Sequence, residues 1–296
     1  MRRNLPPRNP SPNTGLFYVP RFVPGPDRAE VMETLLALKP LWEDRYSHQR
    51  PLPPRAEQRR LLRPVYWLGN WQFACLDYYR PPQGTRDRCV RAEPYPAPLA
   101  RLVSRMEALA RRSFAPRDLP RDWRLNTCLV NYYGSTLAGE RWIDTARVGE
   151  HKDFEPGPVA SISFGERALF QFVSSRSRSG PARVVLQQWL EDGALQLFGG
   201  PRWKEDLFHR VQRVEKKQGT VFPVAVEGFR VRRINLTFRY VPEAHVTPYA
   251  RLGPQARGDV REYMEALATR SPFFARELAP PGEASGFSVS VHFKGT

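Results

Sequence analysis

Two stretches decide the fold: Val148-Gly149-Glu150-His151-Lys152-Asp153 and Arg233-Ile234-Asn235-Leu236-Thr237-Phe238-Arg239. In the first, one residue separates a histidine from an aspartate, so on a strand both side chains point to the same face. A second histidine, His209, lies between the two stretches. Two histidines and one carboxylate form the set that holds non-haem Fe(II) while leaving coordination positions open. The third ligand must then come from a distant segment that a β fold brings alongside.

The second stretch reads as a strand with an arginine at each end. A period of two places Arg233, Asn235, Thr237 and Arg239 on one face and Ile234, Leu236 and Phe238 on the other. The two arginine backbones are then roughly 20 Å apart. Long side chains leaning together would leave a gap suited to a small diacid, because the guanidinium fork pairs bidentately with carboxylates. Taken alone, the first stretch is more typical of a surface pair or a satisfied core histidine, and the second of an ordinary solvated strand face.

Several motifs in order resemble the AlkB family of Fe(II)/2-oxoglutarate dioxygenases. The segment from Pro158 to Phe172 is similar to the strand pair that follows H-x-D in that family. The ending Asn-Leu-Thr-Phe-Arg at 235–239 resembles the family signature. Asn131-Tyr132-Tyr133-Gly134 is similar to its N-x-Y element, and Gly199-Gly200 to the lead-in to its second histidine. Such an ordered set is far more specific than any one motif.

The resemblance implies a set of site residues. Fe(II) would be held by His151, Asp153 and His209, and O2 would be the second co-substrate. The distal carboxylate of 2-oxoglutarate would pair with Arg233, with the hydroxyl of Tyr133 as a further donor. Arg239 and Asn131 would serve its metal-binding end, and Asn235 completes the co-substrate residues. Glu155 matches an acid that contacts the base in relatives, although an exposed loop acid fits the sequence as well.

Composition points to a globular, nucleic-acid-binding protein. The chain has 296 residues, a net charge of +16 and 41% hydrophobic residues. Arginines supply most of the charge, which favours a polyanionic partner, although a genomic bias in composition would also produce it. No segment reaches the ~18 apolar residues needed to span a bilayer, and the N-terminus lacks an apolar signal region. Cys75, Cys89 and Cys128 read as reduced thiols. We expect a monomer away from membranes in the cytoplasm, with association with the nucleoid or nucleus left open.

The chain reads as one structural domain with a mostly β (α+β) fold. Its core, 126–245, is expected to be a double-stranded β-helix, a jelly-roll variant. Residues 1–125 would supply flanking helices and a nucleotide-recognition lid, and 246–296 a C-terminal extension. Segments 135–147 and 201–206 are insertions relative to the family. The expected elements are helices near 27–38, 98–112 and 258–270, strands near 126–133, 158–164, 167–174, 183–188, 194–198, 208–213, 219–225 and 231–241, and an added strand at 287–293.

Arginines and aromatic residues lie together in the expected lid. Residues 45–63 hold six arginines and three prolines, typical of an exposed loop, and aromatic residues follow at once. This pattern suits single-stranded nucleic acid, whose bases stack on rings while cations track the backbone. Tyr78 or Tyr79 is the main candidate for stacking on a flipped base, followed by Trp67 and Trp71. For each ring taken singly, a place in the core is the alternative.

The leading hypothesis is therefore oxidative demethylation of N-alkylated bases in DNA or RNA, releasing formaldehyde, succinate and CO2. A first alternative keeps the chemistry but directs it to a protein side chain or a small molecule. A second alternative is a non-catalytic nucleic-acid-binding protein with a vestigial site. Residues 45–80 separate the first two, because a base demethylase needs a positive, aromatic-lined groove above the iron.

Overall fold

A computed structural model describes residues 15–45, 59–72, 89–144, 147–174, 183–212 and 220–279. Its helices are α1 Gly25–Ala37, α2 Ala97–Ser113, α3 Pro254–Ala268 and α4 Pro272–Leu278. Its strands are β1 Leu16–Val19, β2 Asp44–Arg45, β3 Arg59–Arg60, β4 Val65–Leu68, β5 Asn70–Gln72, β6 Cys89–Arg91, β7 Thr127–Ala138, β8 Arg141–Asp144, β9 Val148–His151, β10 Val159–Gly165, β11 Ala168–Val173, β12 Val184–Leu190, β13 Leu195–Phe198, β14 Phe208–Gln212 and β15 Phe229–Arg239.

Two antiparallel sheets form the core. The larger has the order β1-β13-β10-β15-β7-β4, with β8 added to β7, and the smaller has the order β12-β11-β14-β9. Buried side chains from both sheets pack together between them, among them Phe170 and Phe172 of the smaller sheet and Phe198 of the larger. Most neighbours in each sheet, such as β10 and β15 or β11 and β14, are not consecutive in sequence, as in a jelly roll. The predicted mostly-β fold with a double-stranded β-helix core is confirmed.

The alternation of β15 separates the hydrophobic core from the polar interior. Ile234, Leu236 and Phe238 belong to the main hydrophobic cluster, which also takes in the apolar faces of α1 and α2. Burying each such side chain contributes about 1.5–3 kcal/mol. Arg233, Asn235 and Arg239 are also buried, at 3–5% exposure, but make polar contacts. The polar row therefore faces the protein interior, and the solvated strand face is excluded.

The insertion at 135–147 extends two strands of the larger sheet. The sequence predicts that this strand ends at Gly134. In the structure, β7 continues to Ala138 and pairs with β8. Gly134 is needed inside β7, because a Cβ there would lie 1.7 Å from the carbonyl oxygen of Arg230 on β15. The described part of the insertion, residues 135–144, is thus a hairpin that continues the sheet.

Two elements of the structure differ from those that the sequence predicts. No regular strand forms in 220–225, where Phe222 makes only an isolated bridge to Val231. Pro223, which cannot donate to a strand ladder, explains the interruption. The expected helix at 258–270 is α3, Pro254–Ala268, and a second helix that the sequence analysis did not predict, α4, begins at Pro272. The break between them fits the disfavoured helical geometry of a residue that precedes a proline. The expected strand at 287–293 lies outside the described residues.

The structure tests the expectations about membrane helices and cysteines for only part of the chain. Within the described ranges, no helix has the length and apolar character needed to cross a membrane. Cys89 and Cys128 are buried and form no disulfide. Cys75 lies outside the described residues.

Candidate functional site

The two histidines and the aspartate meet between the sheets. His151 is the last residue of β9 and lies directly opposite His209 on β14. The sequence predicts that Asp153 lies on the same strand as His151. In the structure, Asp153 lies in the loop just after β9. One ligand atom from each residue can be chosen so that all lie within 4.8 Å of one another, and all three residues are buried. His209 Nε2 is 3.3 Å from Asp153 Oδ2. Two ligand atoms about 2.1 Å from one cation and at right angles would be about 3.0 Å apart, so this spacing fits a shared metal ion.

Local contacts orient both imidazoles. His151 Nδ1 lies 2.8 Å from the carbonyl oxygen of Gly149. A carbonyl can only accept, so Nδ1 donates and Nε2 keeps the lone pair that a metal needs. The His209 ring stacks on Phe170, with centroids 5.4 Å apart and planes at 16°, and meets Phe198 edge-on. His209 Nδ1 has no hydrogen-bond partner in the described part of the chain, so ring packing sets its orientation.

The charges of the cluster suit a divalent cation. Burial, together with His209, lowers the pKa of His151 to about 3, so its ring is neutral at physiological pH. Burial would raise the pKa of Asp153, but Arg239 and the two histidines hold that pKa well below its usual range. The cluster thus offers a neutral imidazole and a carboxylate, the protonation states that metal binding requires. One carboxylate oxygen, Asp153 Oδ2, has no hydrogen bond within the described residues.

Arg233 is a buried cation with unused donors. Its Nη2 donates to Ser163 Oγ at 2.9 Å, and its guanidinium carbon lies 4.6 Å from the centre of the Tyr133 ring. Neither Nε nor Nη1 has a hydrogen-bond partner among the residues that the structure describes. Burial lowers the pKa of Arg233, while the nearby Tyr133 opposes this shift. These unused N–H donors on a buried guanidinium suit an anionic ligand such as a carboxylate.

The remaining predicted co-substrate residues lie along the same inner face. Asn235 Nδ2 donates to Ser161 Oγ at 2.8 Å and to the Ile162 carbonyl at 2.9 Å. Arg239 Nε donates to Asp153 Oδ1 at 2.8 Å, which places Arg239 at the metal end of the row. The inner face of the larger sheet thus runs from Arg239, beside the metal cluster, to Arg233.

Sequence reasoning missed Arg63. It was grouped with the exposed loop 45–63, but only 8% of its surface is exposed. Its Nε donates to Asn131 Oδ1 at 2.7 Å, and its guanidinium carbon lies 5.4 Å from the centre of the Tyr133 ring. Arg63 and Arg233 are therefore at most about 10 Å apart, which at an effective dielectric constant of ~20 implies a repulsion of about 1.7 kcal/mol or more. An anion bound beside them would offset this repulsion.

Of the substrate-binding candidates, the tryptophans are wrong. Trp67 is 6% exposed and donates from Nε1 to Glu43 Oε2 at 3.0 Å. Trp71 is 1% exposed and meets Tyr263 edge-on. Both rings belong to the hydrophobic core, so neither can stack on a base. Tyr78 and Tyr79 lie outside the described residues.

Glu155 is buried beside the metal cluster, so the exposed loop acid is excluded. It is 2% exposed, and neither carboxylate oxygen has a hydrogen bond within the described ranges. Burial raises the pKa of Glu155, against the influence of Arg239, whose Nε lies 3.5 Å from Glu155 Oε1. Glu155 and Asp153 line a cavity of about 850 Å³, together with Lys204 and Phe208. A buried acid therefore lies beside a cavity that adjoins Asp153 of the metal cluster.

The insertion at 201–206 forms one wall of this cavity. It contains a π-helical turn, Arg202–Asp206. Lys204 Nζ donates to the carbonyls of Glu155 and Gly157, the latter at 2.8 Å. Lys152 Nζ donates in the other direction, to the carbonyl of Glu205. The sequence holds only six lysines. The two that flank the cavity thus fasten the insertion to the loop that carries Asp153.

Comparison with known proteins gives a family match and several distant structural likenesses. The model of the 2OG-Fe(II) oxygenase superfamily matches residues 15–239, about three quarters of the chain. No curated protein matches the sequence. A structure of OsALKBH1 is similar with a TM-score of 0.46 and 20% identity, over 80% of this chain and 100% of that one. Escherichia coli YcfD, a ribosomal oxygenase in complex with cobalt and succinic acid, is similar with a TM-score of 0.33 and 14% identity, over 88% of this chain and 65% of that one.

Proposed function

Because the chain belongs to the 2OG-Fe(II) oxygenase superfamily, we propose that it is an oxidative demethylase of N-alkylated nucleobases in DNA or RNA. Membership confirms the predicted dioxygenase class and its requirement for Fe(II), 2-oxoglutarate and O2. The residue assignments rest on one observation. His151, Asp153 and His209 form a buried cluster, and the polar row that begins beside it ends at Arg233, where two N–H donors make no hydrogen bond in the described residues. The narrower AlkB-like assignment rests on the sequence motifs.

In this proposal the metal cluster and the arginine row hold the two ends of the co-substrate. His151, Asp153 and His209 bind Fe(II), and Arg239 keeps Asp153 ionised and in place through its 2.8 Å bond. Arg233 pairs with the distal carboxylate of 2-oxoglutarate through N–H donors that make no hydrogen bond in the described residues, and Tyr133 lies beside it. Asn131 serves the metal-binding end. Asn235 is braced by Ser161 and stiffens the floor of the pocket.

The bound iron supplies the oxidising chemistry: one oxygen atom of O2 enters a C–H bond of the substrate, and the other enters succinate as CO2 leaves. Hydroxylation of an N-methyl carbon gives an unstable product that releases formaldehyde and leaves N–H on the base. The protein positions the methyl group and excludes competing reactions. The buried inner faces of the sheets meet the second requirement, because the ligand set is only 3–7% exposed.

Charge and the buried acid favour a nucleobase as the substrate. A net charge of +16 supplies attraction to phosphates. Methylation at the ring nitrogens of adenine or cytosine gives a cationic base with an exocyclic amine. Glu155, buried beside Asp153 with both oxygens free of hydrogen bonds in the described part, offers an acceptor for such a group. A flipped or single-stranded base could then enter the cavity.

A protein side chain or a small molecule is the second candidate substrate. The observation that favours it is the burial of Trp67 and Trp71, which removes two of the four aromatic residues expected to clamp a base. This candidate keeps the same iron and co-substrate residues and differs only in what enters the cavity. The third reading, a vestigial site, conflicts with a complete and oriented ligand set.

The test is formaldehyde release from oligonucleotides that carry 1-methyladenine or 3-methylcytosine. Reactions contain Fe(II), 2-oxoglutarate and ascorbate, with His151→Ala as the blank. We expect formaldehyde and succinate in equal amounts from the wild type and neither from the variant. Succinate without formaldehyde from any nucleic acid would move the proposal to the second candidate. The absence of both products, with no iron bound, would refute the site.

A further inference from the structure

Arg63 is a buried arginine whose charge has no ion-pair partner in the described part of the chain. The hydrogen bond from its Nε goes to a neutral amide, Asn131 Oδ1, at 2.7 Å. Another cation, Arg233, lies against the same Tyr133 ring, and burial and the charge of Arg63 both lower the pKa of Arg233. A buried charge without a counter-charge is unfavourable, so its presence indicates that an anion binds nearby.

The strand register places Arg63 in the co-substrate row. Val65 pairs with Asn131 across β4 and β7, so position 63 falls beside Tyr133. Tyr133 in turn pairs with Arg233 across β7 and β15. The order Arg63, Tyr133, Arg233 therefore crosses three neighbouring strands at one level. Both guanidiniums lie against the same tyrosine ring.

The hydrogen bond from Arg63 also fixes the orientation of the Asn131 amide. A guanidinium can donate but cannot accept, so the amide oxygen must face Arg63 and the amide nitrogen must face away. Within the described residues, Asn131 Nδ2 makes only a long bond of 3.3 Å, to the carbonyl of Leu129. This donor is therefore available to a stronger acceptor, such as a carboxylate oxygen.

We infer that Arg63 is a positioning residue of the 2-oxoglutarate pocket. It turns the amide nitrogen of Asn131 toward the co-substrate, holds the Tyr133 ring, and adds a second positive charge for a ligand that carries two negative charges. This inference rests on the proposed function, because it takes Asn131, Tyr133 and Arg233 as residues of the co-substrate site. This role differs from the nucleic-acid contacts that the sequence predicts for the neighbouring residues.

The test measures binding of 2-oxoglutarate to the Mn(II)-loaded full chain by calorimetry, without any methylated substrate. We expect Arg63→Met to weaken 2-oxoglutarate binding about tenfold or more, as for a lost hydrogen bond network around a charged ligand, and to leave Mn(II) affinity unchanged. Arg112→Met is the matched control, because Arg112 is an exposed arginine on α2. It removes the same charge from the chain and should leave both affinities at the wild-type value.

A double-mutant cycle with Asn131→Ala tests how Arg63 acts. If Arg63 works through Asn131, the double variant should lose little more affinity than the more severe single variant. Additive losses would contradict the positioning role. Unchanged 2-oxoglutarate affinity in Arg63→Met would overturn the inference outright.

Two further variants keep the outcome decisive. If Arg63→Met does not fold, Arg63→Lys takes its place, since lysine keeps the charge but lacks the fixed Nε donor. We expect it to bind 2-oxoglutarate about threefold or more weakly, and unchanged binding would overturn the inference. Arg233→Met separates this failure from that of the site itself. If Arg233→Met weakens binding and the Arg63 variants do not, only the role of Arg63 is wrong. If all are without effect, the proposed co-substrate site is wrong as well.

Discussion

Arg232 and Arg233 are consecutive residues of β15 whose guanidiniums are in opposite situations. Arg232 is fully used: it donates to Ser135 Oγ at 2.6 Å and to Asp144 Oδ2 at 2.9 Å, and pairs with Glu166 at 3.3 Å. Arg233 makes one hydrogen bond to Ser163 and leaves two buried donors idle within the described chain. Replacing each by methionine should therefore have opposite effects on the stability of the ligand-free protein.

The expected magnitudes follow from these contacts. Arg232→Met leaves two buried acids without their cation, which should cost about 3–5 kcal/mol in free energy of unfolding. Arg233→Met removes two unsatisfied donors, worth about 1–3 kcal/mol each. It also loses one bond to Ser163 and the contact with the Tyr133 ring, together about 2–3 kcal/mol. The net change in free energy of unfolding is then between about −1 and +4 kcal/mol, so the ligand-free Arg233→Met protein is expected to be slightly more stable than the wild type.

The response to 2-oxoglutarate should be reversed. At 100 times the dissociation constant, 2-oxoglutarate should stabilise the Mn(II)-loaded wild type by about 2.7 kcal/mol. For a domain of this size we expect a rise of about 5 °C in Tm. Arg233→Met should show no rise, because the distal carboxylate loses its cationic partner. Arg233 would then lower the stability of the ligand-free protein, and its benefit would be the binding of 2-oxoglutarate.

The assay is urea and thermal unfolding of both variants, with Mn(II) and with or without 2-oxoglutarate. The reasoning is refuted if ligand-free Arg233→Met is destabilised as much as Arg232→Met, since Arg233 would then be satisfied in the fold. A normal rise in Tm with 2-oxoglutarate in Arg233→Met would refute the assignment of its ligand.

Three further predictions concern the metal, the cavity and the sheet. Asp153→Asn should weaken Mn(II) binding about 100-fold or more in a metal titration, whereas Asp192→Asn, an exposed acid paired with Arg28, should not change it. Glu155→Gln should leave Mn(II) and 2-oxoglutarate affinities unchanged but alter kcat/KM for a methylated base about tenfold, and equal kcat/KM would argue against its contact with substrate. Gly134→Ala should cost about 3 kcal/mol or more in chemical unfolding, because its Cβ would meet a backbone carbonyl at 1.7 Å. Gly149→Ala, with no atom within 4 Å of its Cβ, should change stability by less than about 0.5 kcal/mol.

The periodic parts of the chain were predictable because period and burial agree there. From Arg233 to Arg239, β15 alternates strictly, so its apolar face and its polar row could both be assigned from spacing. The spacing of His151 and Asp153 also predicted that a distant segment supplies the third ligand, and the register places His209 directly opposite His151. The position of Asp153 was less predictable, since the strand ends before it and the loop carries it to the site.

Residues near the expected lid could not be assigned in this way. From the sequence of 45–80, buried and exposed arginines or aromatic residues cannot be told apart. In the structure, Arg63 is buried just before β4 and Trp67 is buried on β4. What decides their burial is the pairing of β4 with β7, a contact between segments about 65 residues apart that local spacing does not encode. The lysine contacts across the insertion at 201–206 were hidden for the same reason, because Lys152 and Lys204 bind carbonyls of distant loops.

The most direct test of the account is an anaerobic titration of the full chain with Fe(II) and 2-oxoglutarate, followed by visible absorption. Chelation of the iron by 2-oxoglutarate gives a charge-transfer band. We predict one iron per chain and a band that saturates at one 2-oxoglutarate in the wild type. His209→Ala should lose the iron and the band, and Arg233→Met should keep the iron but need far more 2-oxoglutarate. A wild-type band that survives unchanged in both variants would contradict the account.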